Sequence, residues 1–151
     1  MTKLVYHLSG GRLGGRQGRY DMLLLTTTGR KTGQARVHTL LFIRDGACYV
    51  VCASNFGAPT HPAWYVNLRA DPHALVQDGS RRLAVVAYDA TGEERERLWA
   101  RLAKVWPFFN SYQRGNPRLI PVVVLAPEGM AEYAGQAQMS RGEMSAFAGE
   151  M

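Results

Sequence analysis

Between Arg36 and Arg44 the chain is apolar on both faces of what reads as a β-strand. Leu40 and Phe42 point one way, and Val37, Thr39, Leu41 and Ile43 point the other, because successive strand residues alternate sides. A strand with one wet face alternates apolar with polar residues, so this one has to be covered twice. A sheet that closes on itself and also packs a helix or a second subunit meets that demand. The flanking sequence agrees. An apolar, β-branched run from Tyr20 to Thr28 precedes it, and Asp45-Gly46 is a hairpin turn leading into a further strand, Ala47 to Ser54.

The same grammar continues downstream. Strands are expected over His73–Gln77 and Arg81–Tyr88, joined by Asp78-Gly79-Ser80, and over Leu119–Leu125 with Pro121 near its start. Pro62 suits the first turn of a helix running to Ala70, where Asp71-Pro72 stops it. Thr91-Gly92-Glu93-Glu94 reads as a capping box for a second helix, to about Trp106, with Leu98, Leu102 and Val105 as its buried stripe. Pro107 ends it, and the aromatic-rich 107–118 reads as a loop. About six short strands with helices after the third and fifth give a mainly β architecture with α, a small antiparallel barrel with flanking helices. With 151 residues the chain is one domain able to bury a core without staples. It divides into an N-terminal helix (residues 3–8) and flexible basic arm over 1–18, the barrel over 19–127 and a Met/Ala-rich extension over 128–151.

Composition narrows the chemistry. A net charge of +6 favours an anionic partner, whether phosphorylated cofactor, nucleic acid or acidic membrane surface. No run reaches the roughly 18–20 apolar residues of a membrane span, and the N-terminus lacks a signal-peptide pattern, so the expected location is cytoplasmic, with peripheral membrane contact left open. The outer apolar face leaves a homodimer open as well. Cys48 and Cys52 lie four apart on one strand, about 13 Å at ~3.3 Å per residue, too far for a disulfide and better read as core thiols. His7, His38, His61 and His73 show no metal-ligand spacing. No nucleophile elbow and no paired carboxylates are present, a pattern that leaves the chemistry to a cofactor.

The place for an anion is the turn Gly29-Arg30-Lys31-Thr32-Gly33. With Arg36 it gathers cations, hydroxyls and backbone N–H groups around one point, which suits a phosphate or polycarboxylate. A solvated basic hairpin is the plainer reading of these residues taken alone.

Three ordered stretches, LLLTTTGRKTGQARVHTLLFIRDG, ASNFGAPTHPAWYVNLRADP and YQRGNPRLIPVVVLAP, resemble the deazaflavin-dependent nitroreductase family over roughly residues 8–127. That resemblance implies a split β-barrel, the cofactor 8-hydroxy-5-deazaflavin (coenzyme F420) and hydride transfer to a flat hydrophobic acceptor, a quinone or a nitroaromatic. It places Arg30, Lys31, Thr32, Gly33 and Arg36 on the cofactor's phosphate and oligoglutamate tail. His38, Thr39, Leu40 and Leu41 line the deazaflavin ring, Thr39 standing where relatives often have proline. Ala53, Ser54 and Asn55 approach its pyrimidine side. His61, Pro62, Ala63, Trp64, Asn67 and Leu68 form the second cofactor segment. Trp106, Phe109 and Tyr112 take the substrate side, where nitro-drug-activating relatives carry several tyrosines. Only Tyr112 keeps a hydroxyl there, which favours a quinone; Tyr112 and Ser54 are the expected hydrogen-bond donors to the acceptor.

Each position has a plainer meaning. Trp64 and Leu68 at helical spacing are ordinary core residues, and Asn67 is an ordinary local bridge. An FMN-dependent oxidoreductase on the same barrel and a non-catalytic cofactor or lipid carrier remain alternatives. A nucleic-acid-binding barrel ranks last, because the aromatics do not interleave with Lys and Arg along strands.

Overall fold

The computed structural model describes residues 16–17 and 20–129. The helix expected over 3–8, most of the basic arm and nearly all of the C-terminal extension lie outside the described residues.

The leucine-rich run forms β2 (Tyr20–Thr28), with the two-residue β1 (Arg16–Gln17) antiparallel to its start. β3 (Ala35–Leu41) pairs back on β2 from Thr28↔Ala35 to Met22↔Leu41. The single strand expected over 36–44 is broken at Phe42. Residues Ile43–Asp45 form β4 and pair instead with β5 (Cys48–Cys52). Phe42 N–H still donates to the Asp21 carbonyl (3.0 Å), so the chain changes neighbours within one residue. β6 (His73–Asp78), β7 (Arg81–Asp89) and β8 (Val122–Pro127) complete an antiparallel circuit, β2–β6–β7–β8–β5–β4, closed covalently where β4 continues β3. The barrel is therefore split where one strand serves two partners.

The last strand starts later than expected. Leu119 is 66% exposed, and Ile120 N–H donates to the Gln113 side chain (2.8 Å). Pro121 has no N–H to offer a ladder, so regular pairing begins at Val122.

From Leu40 to Ile43 both faces of the β3–β4 run are covered, while Val37, His38 and Thr39 upstream are only half-buried. Inside the barrel, Phe42 packs with Leu23, Leu25, Val51, Val123 and Leu125, and α1 (Ala63–Ala70) contributes Trp64, Tyr65 and Leu68. Outside, Ile43, Val50, Val122 and Val124 pack against Leu98 and Leu102 of α2 (Gly92–Val105) and Phe109 of α3 (Phe108–Arg114). Burying side chains of this kind stabilises by about 1.5–3 kcal/mol each. The outer cover is supplied by this chain's own helices.

Two local expectations are corrected. Thr91 is the N-cap of α2 but makes no side-chain cap bond, because Gly92 (φ +57°) turns the chain out of the geometry a capping box needs. Residues 108–114 are helical, not a loop. Pro107 (φ −59°, ψ −20°) already has helical dihedrals, and no Gly or Pro interrupts FFNSYQR. The three-residue spacing of Phe109 and Tyr112 puts both rings on one side of α3, where they meet edge to face at 6.3 Å.

Candidate active site

Ser54 to His61 leaves the end of β5 in an unusual backbone. Asn55 (φ +49°), Phe56 (φ +55°) and Gly57 (φ +83°) are consecutive left-handed residues in a short 3₁₀ turn. For a non-glycine residue that conformation costs about 1–2 kcal/mol, so surrounding contacts have to hold it. They come from the stretch ahead of β8. The Asn116 side-chain amide donates to the carbonyls of Gly57 (3.1 Å) and Ala58 (2.8 Å). The Arg118 guanidinium donates to the carbonyls of Ala58, Ala53 and Ser54 at 3.1, 3.2 and 2.8 Å.

Gly57 also lets the turn press on Tyr112. A Cβ placed on it would stand 2.9 Å from Tyr112 Cδ1. The turn, α3 and the strand ends together line a half-open cavity of about 710 Å³, within the range of about 300–1,000 Å³ usual for ligand pockets. Tyr20 and Met22 of β2 and His38 to Leu41 of β3 line one part of it. Cys52, Ser54, Asn55 and Phe56 line another, and His61 to Trp64 a third. Trp106, Phe109 and Tyr112 close it from the helices. Tyr20 meets Trp106 edge to face at 5.1 Å, so the wall presents flat ring surfaces in fixed orientations.

Polar side chains in the lining include Tyr20, His38, Thr39, Ser54, Asn55, His61 and Tyr112. Ser54 is buried, and Thr39 Oγ1 is buried with no hydrogen-bond partner. Burial pushes the Cys52 thiol up to about 12, so it is inert at neutral pH. Burial, aided by the Arg118 and Arg69 charges, holds the His61 ring below its ordinary 6.5. Among the described residues no cluster of three His, Cys, Asp or Glu side chains could hold a metal ion, and no helix is long and apolar enough to cross a membrane. The site can bind and align a flat ring. It carries no evident acid–base pair.

Most of the residues expected from sequence meet in this cavity: His38, Thr39, Leu40, Leu41, Ser54, Asn55, His61, Pro62, Ala63, Trp64, Trp106, Phe109 and Tyr112. Eight do not line it: Arg30, Lys31, Thr32, Gly33 and Arg36 of the basic hairpin, together with Ala53, Asn67 and Leu68. Ala53 is fully buried, Leu68 belongs to the barrel core, and Asn67 is a bridge within the protein. The Asn67 side chain donates to Thr27 Oγ1 (3.2 Å) and accepts from the Arg30 amide (3.2 Å) and guanidinium (3.1 Å). The basic hairpin is thereby fastened to α1 beside the cavity, not on its wall. Arg36 precedes cavity-lining His38 by two strand residues, about 7 Å. Asn67 follows Ala63 by about one helical turn. Lys31 and Arg36 are exposed.

Sequence reasoning missed Tyr20, Met22, Cys52 and Phe56 as lining residues, and Arg118 as the clamp behind them. Met22 was within reach, since it pairs with Leu41 across the β2–β3 ladder and shares its end of the sheet. Arg118 had no such signal.

The chain matches the family model described as F420H(2)-dependent quinone reductase over residues 1–127. An F420H(2)-dependent quinone reductase of Mycobacterium tuberculosis is 37% identical over 130 residues, covering 80% of this chain and 84% of its own. Among solved structures, an F420-H2 dependent reductase, FDR-A, superposes with a TM-score of 0.65 at 39% identity, over 69% of this chain and 92% of that one. A protein described as a domain-swapped dimer gives 0.68 at 36% identity, over 82% of this chain and 93% of its own.

Proposed function

This chain belongs to the F420H(2)-dependent quinone reductase family, and from that premise we propose how its residues serve hydride transfer from reduced coenzyme F420 to a quinone. The observation that carries the reading is the cavity of about 710 Å³, walled largely by flat rings. Those residues fit a deazaflavin: the space accepts a planar ring, and Thr39 Oγ1 is a buried polar atom still lacking a partner. When bound, the coenzyme supplies the hydride.

The protein supplies alignment. His38 to Leu41 and Pro62 to Trp64 would hold the ring, and the Ser54–Asn55 segment would meet its polar edge. Trp106, Phe109 and Tyr112 would hold the acceptor beside the ring and keep water out, which would bring the reacting atoms close together. Tyr112 or Ser54 donates a hydrogen bond to the oxygen on which charge develops. Lys31 and Arg36, with Arg30 held by Asn67, receive the phosphate and carboxylates of the tail as it leaves the cavity. Phe56 and Phe108, 87% and 56% exposed, give an apolar acceptor its approach. A homodimer is the assembly we propose, on the precedent of the domain-swapped relative.

The test is a fluorescence titration with F420 and with FMN, followed by oxidation of F420H2 with menadione. Tight F420 binding, weak FMN binding and menadione-dependent turnover are expected. Preference for FMN would return the site to the flavin reading, and tight binding without turnover would make the protein a carrier.

A further inference from the structure

Arg118 stands behind the cavity wall and is not part of it, yet it governs the one imidazole on the Ser54–Ala63 side. Besides its three carbonyl acceptors, the guanidinium places Nη1 at 3.0 Å from His61 Nδ1. Arginine has N–H donors only, so His61 Nδ1 has to accept this bond through its lone pair. The neutral ring then carries its proton on Nε2. His61 lines the cavity, and Nδ1 is the ring nitrogen already engaged.

We propose that Arg118 is a positioning residue that locks His61 as the Nε2–H tautomer, making His61 a hydrogen-bond donor to a carbonyl-type acceptor on the deazaflavin ring. This inference rests on the coenzyme reading above. It assigns the ligand edge at His61 a polarity: an oxygen or a deprotonated ring nitrogen, not an N–H.

The groups facing His61 make the arrangement sensitive to acid. Arg118 and Arg69 are cationic, and Asp89 at the end of β7 is the opposing carboxylate. Asp89 is already engaged by the Tyr65 hydroxyl (2.6 Å), whose own ring packs at 4.7 Å from the imidazole. A second proton on His61 would aim Nδ1–H at the guanidinium, so burial and the two arginines favour the neutral ring. The sign follows: the clamp is intact above the depressed pKa of His61 and opens as pH falls through it.

Two measurements test this. Nitrogen-15 NMR of histidine-labelled protein without coenzyme reads the tautomer directly, and the Nε2–H form is expected. Fluorescence titration with F420 across pH reads binding for the wild type, Arg118→Gln, Arg118→Lys and His61→Phe, with thermal melts to confirm folding. His61→Phe should weaken binding roughly fivefold at neutral pH, the worth of one neutral hydrogen bond, and abolish the acid-dependent step. Arg118→Gln should move that step upward toward 6.5, the ordinary value for histidine. Arg118→Lys keeps the cation, so it should weaken binding while leaving the step low. An Nδ1–H tautomer, or an acid step unmoved by Arg118→Gln, overturns the proposal and leaves the coenzyme reading intact. If folded wild-type protein binds no F420 at any pH, the coenzyme reading itself fails and the donor role goes with it.

Discussion

The Asn55–Gly57 turn and the Gly29–Gly33 turn both flank the ligand's expected path, but they are held in different ways. The first keeps three left-handed residues in place with bonds from Asn116 and Arg118, some 60 positions later in the chain. The second needs little beyond itself: Gly29 N–H donates to the Gln34 carbonyl and Gly33 N–H to the Gly29 carbonyl, both at 2.7 Å. Arg30 alone is fastened elsewhere, to Asn67, while Lys31 and Arg36 remain exposed. The contrast matches what each end would have to do. Hydride transfer would demand fixed distances around a rigid ring, and the bonds from Asn116 and Arg118 hold this turn in one shape. A flexible polyanion needs charge within reach, not shape.

That contrast can be broken most directly at Gly57. Gly57→Ala adds a Cβ 2.9 Å from the Tyr112 ring at a φ of +83°. Displacing an aligned wall by about 1 Å can lower turnover about a hundredfold, and F420H2 oxidation with menadione should fall on that scale. Normal turnover would mean that the turn and Tyr112 do not set the geometry.

The double variant Lys31→Ala/Arg36→Ala should act at the other end. Two exposed charge contacts at up to ~1 kcal/mol apiece predict roughly a tenfold loss of F420 affinity, smaller in high salt. A tail-less deazaflavin should bind both proteins alike. Equal losses for the two ligands would remove the hairpin from tail binding.

A smaller effect is expected from Tyr112→Phe, which keeps the ring packing and deletes one hydroxyl. Turnover should drop roughly fivefold to tenfold while F420 affinity stays put; an unchanged rate passes the donor role to Ser54. The least effect belongs to a contact far from both turns. Arg97 pairs with Asp45 through two bonds of 2.9 Å, and that hydrogen bonding is the main reason the Asp45 carboxyl lies below its ordinary 3.8. Arg97 is exposed, and half-buried Asp45 keeps its pairing with Arg101, so Arg97→Ala should lower Tm only slightly. The difference from wild type should be present above pH 3.8 and disappear as pH falls through the depressed value.

Much of the barrel was legible because its signals are local. Alternation, β-branched runs and the turns at Asp45-Gly46 and Asp78-Gly79 are properties of neighbouring residues. The two-sided apolar pattern of Val37–Ile43 called for cover on both faces, by a helix or a second subunit, and the helices supply the outer cover at Leu41 and Ile43. What misled was equally local in appearance. Thr91 to Glu94 spells a capping box, but Gly92 takes a positive φ that the letters alone do not reveal. Residues 108–114 looked like a loop because Pro107 reads as a stop, although proline also starts helices.

By itself, then, the sequence determined a barrel of short antiparallel strands, its doubly covered strand and the cluster of cations at Arg30 to Arg36. Only the tertiary structure decided that Phe42 splits that strand between two partners, that Asn67 serves the protein and not the cavity, and that Arg118 holds the wall around Ser54 and His61. The physical reason is range. Strand and turn preferences act between adjacent residues, whereas the Arg118 guanidinium finds its acceptors 57 to 65 positions away, a pairing that exists only once the barrel has brought β5 beside β8.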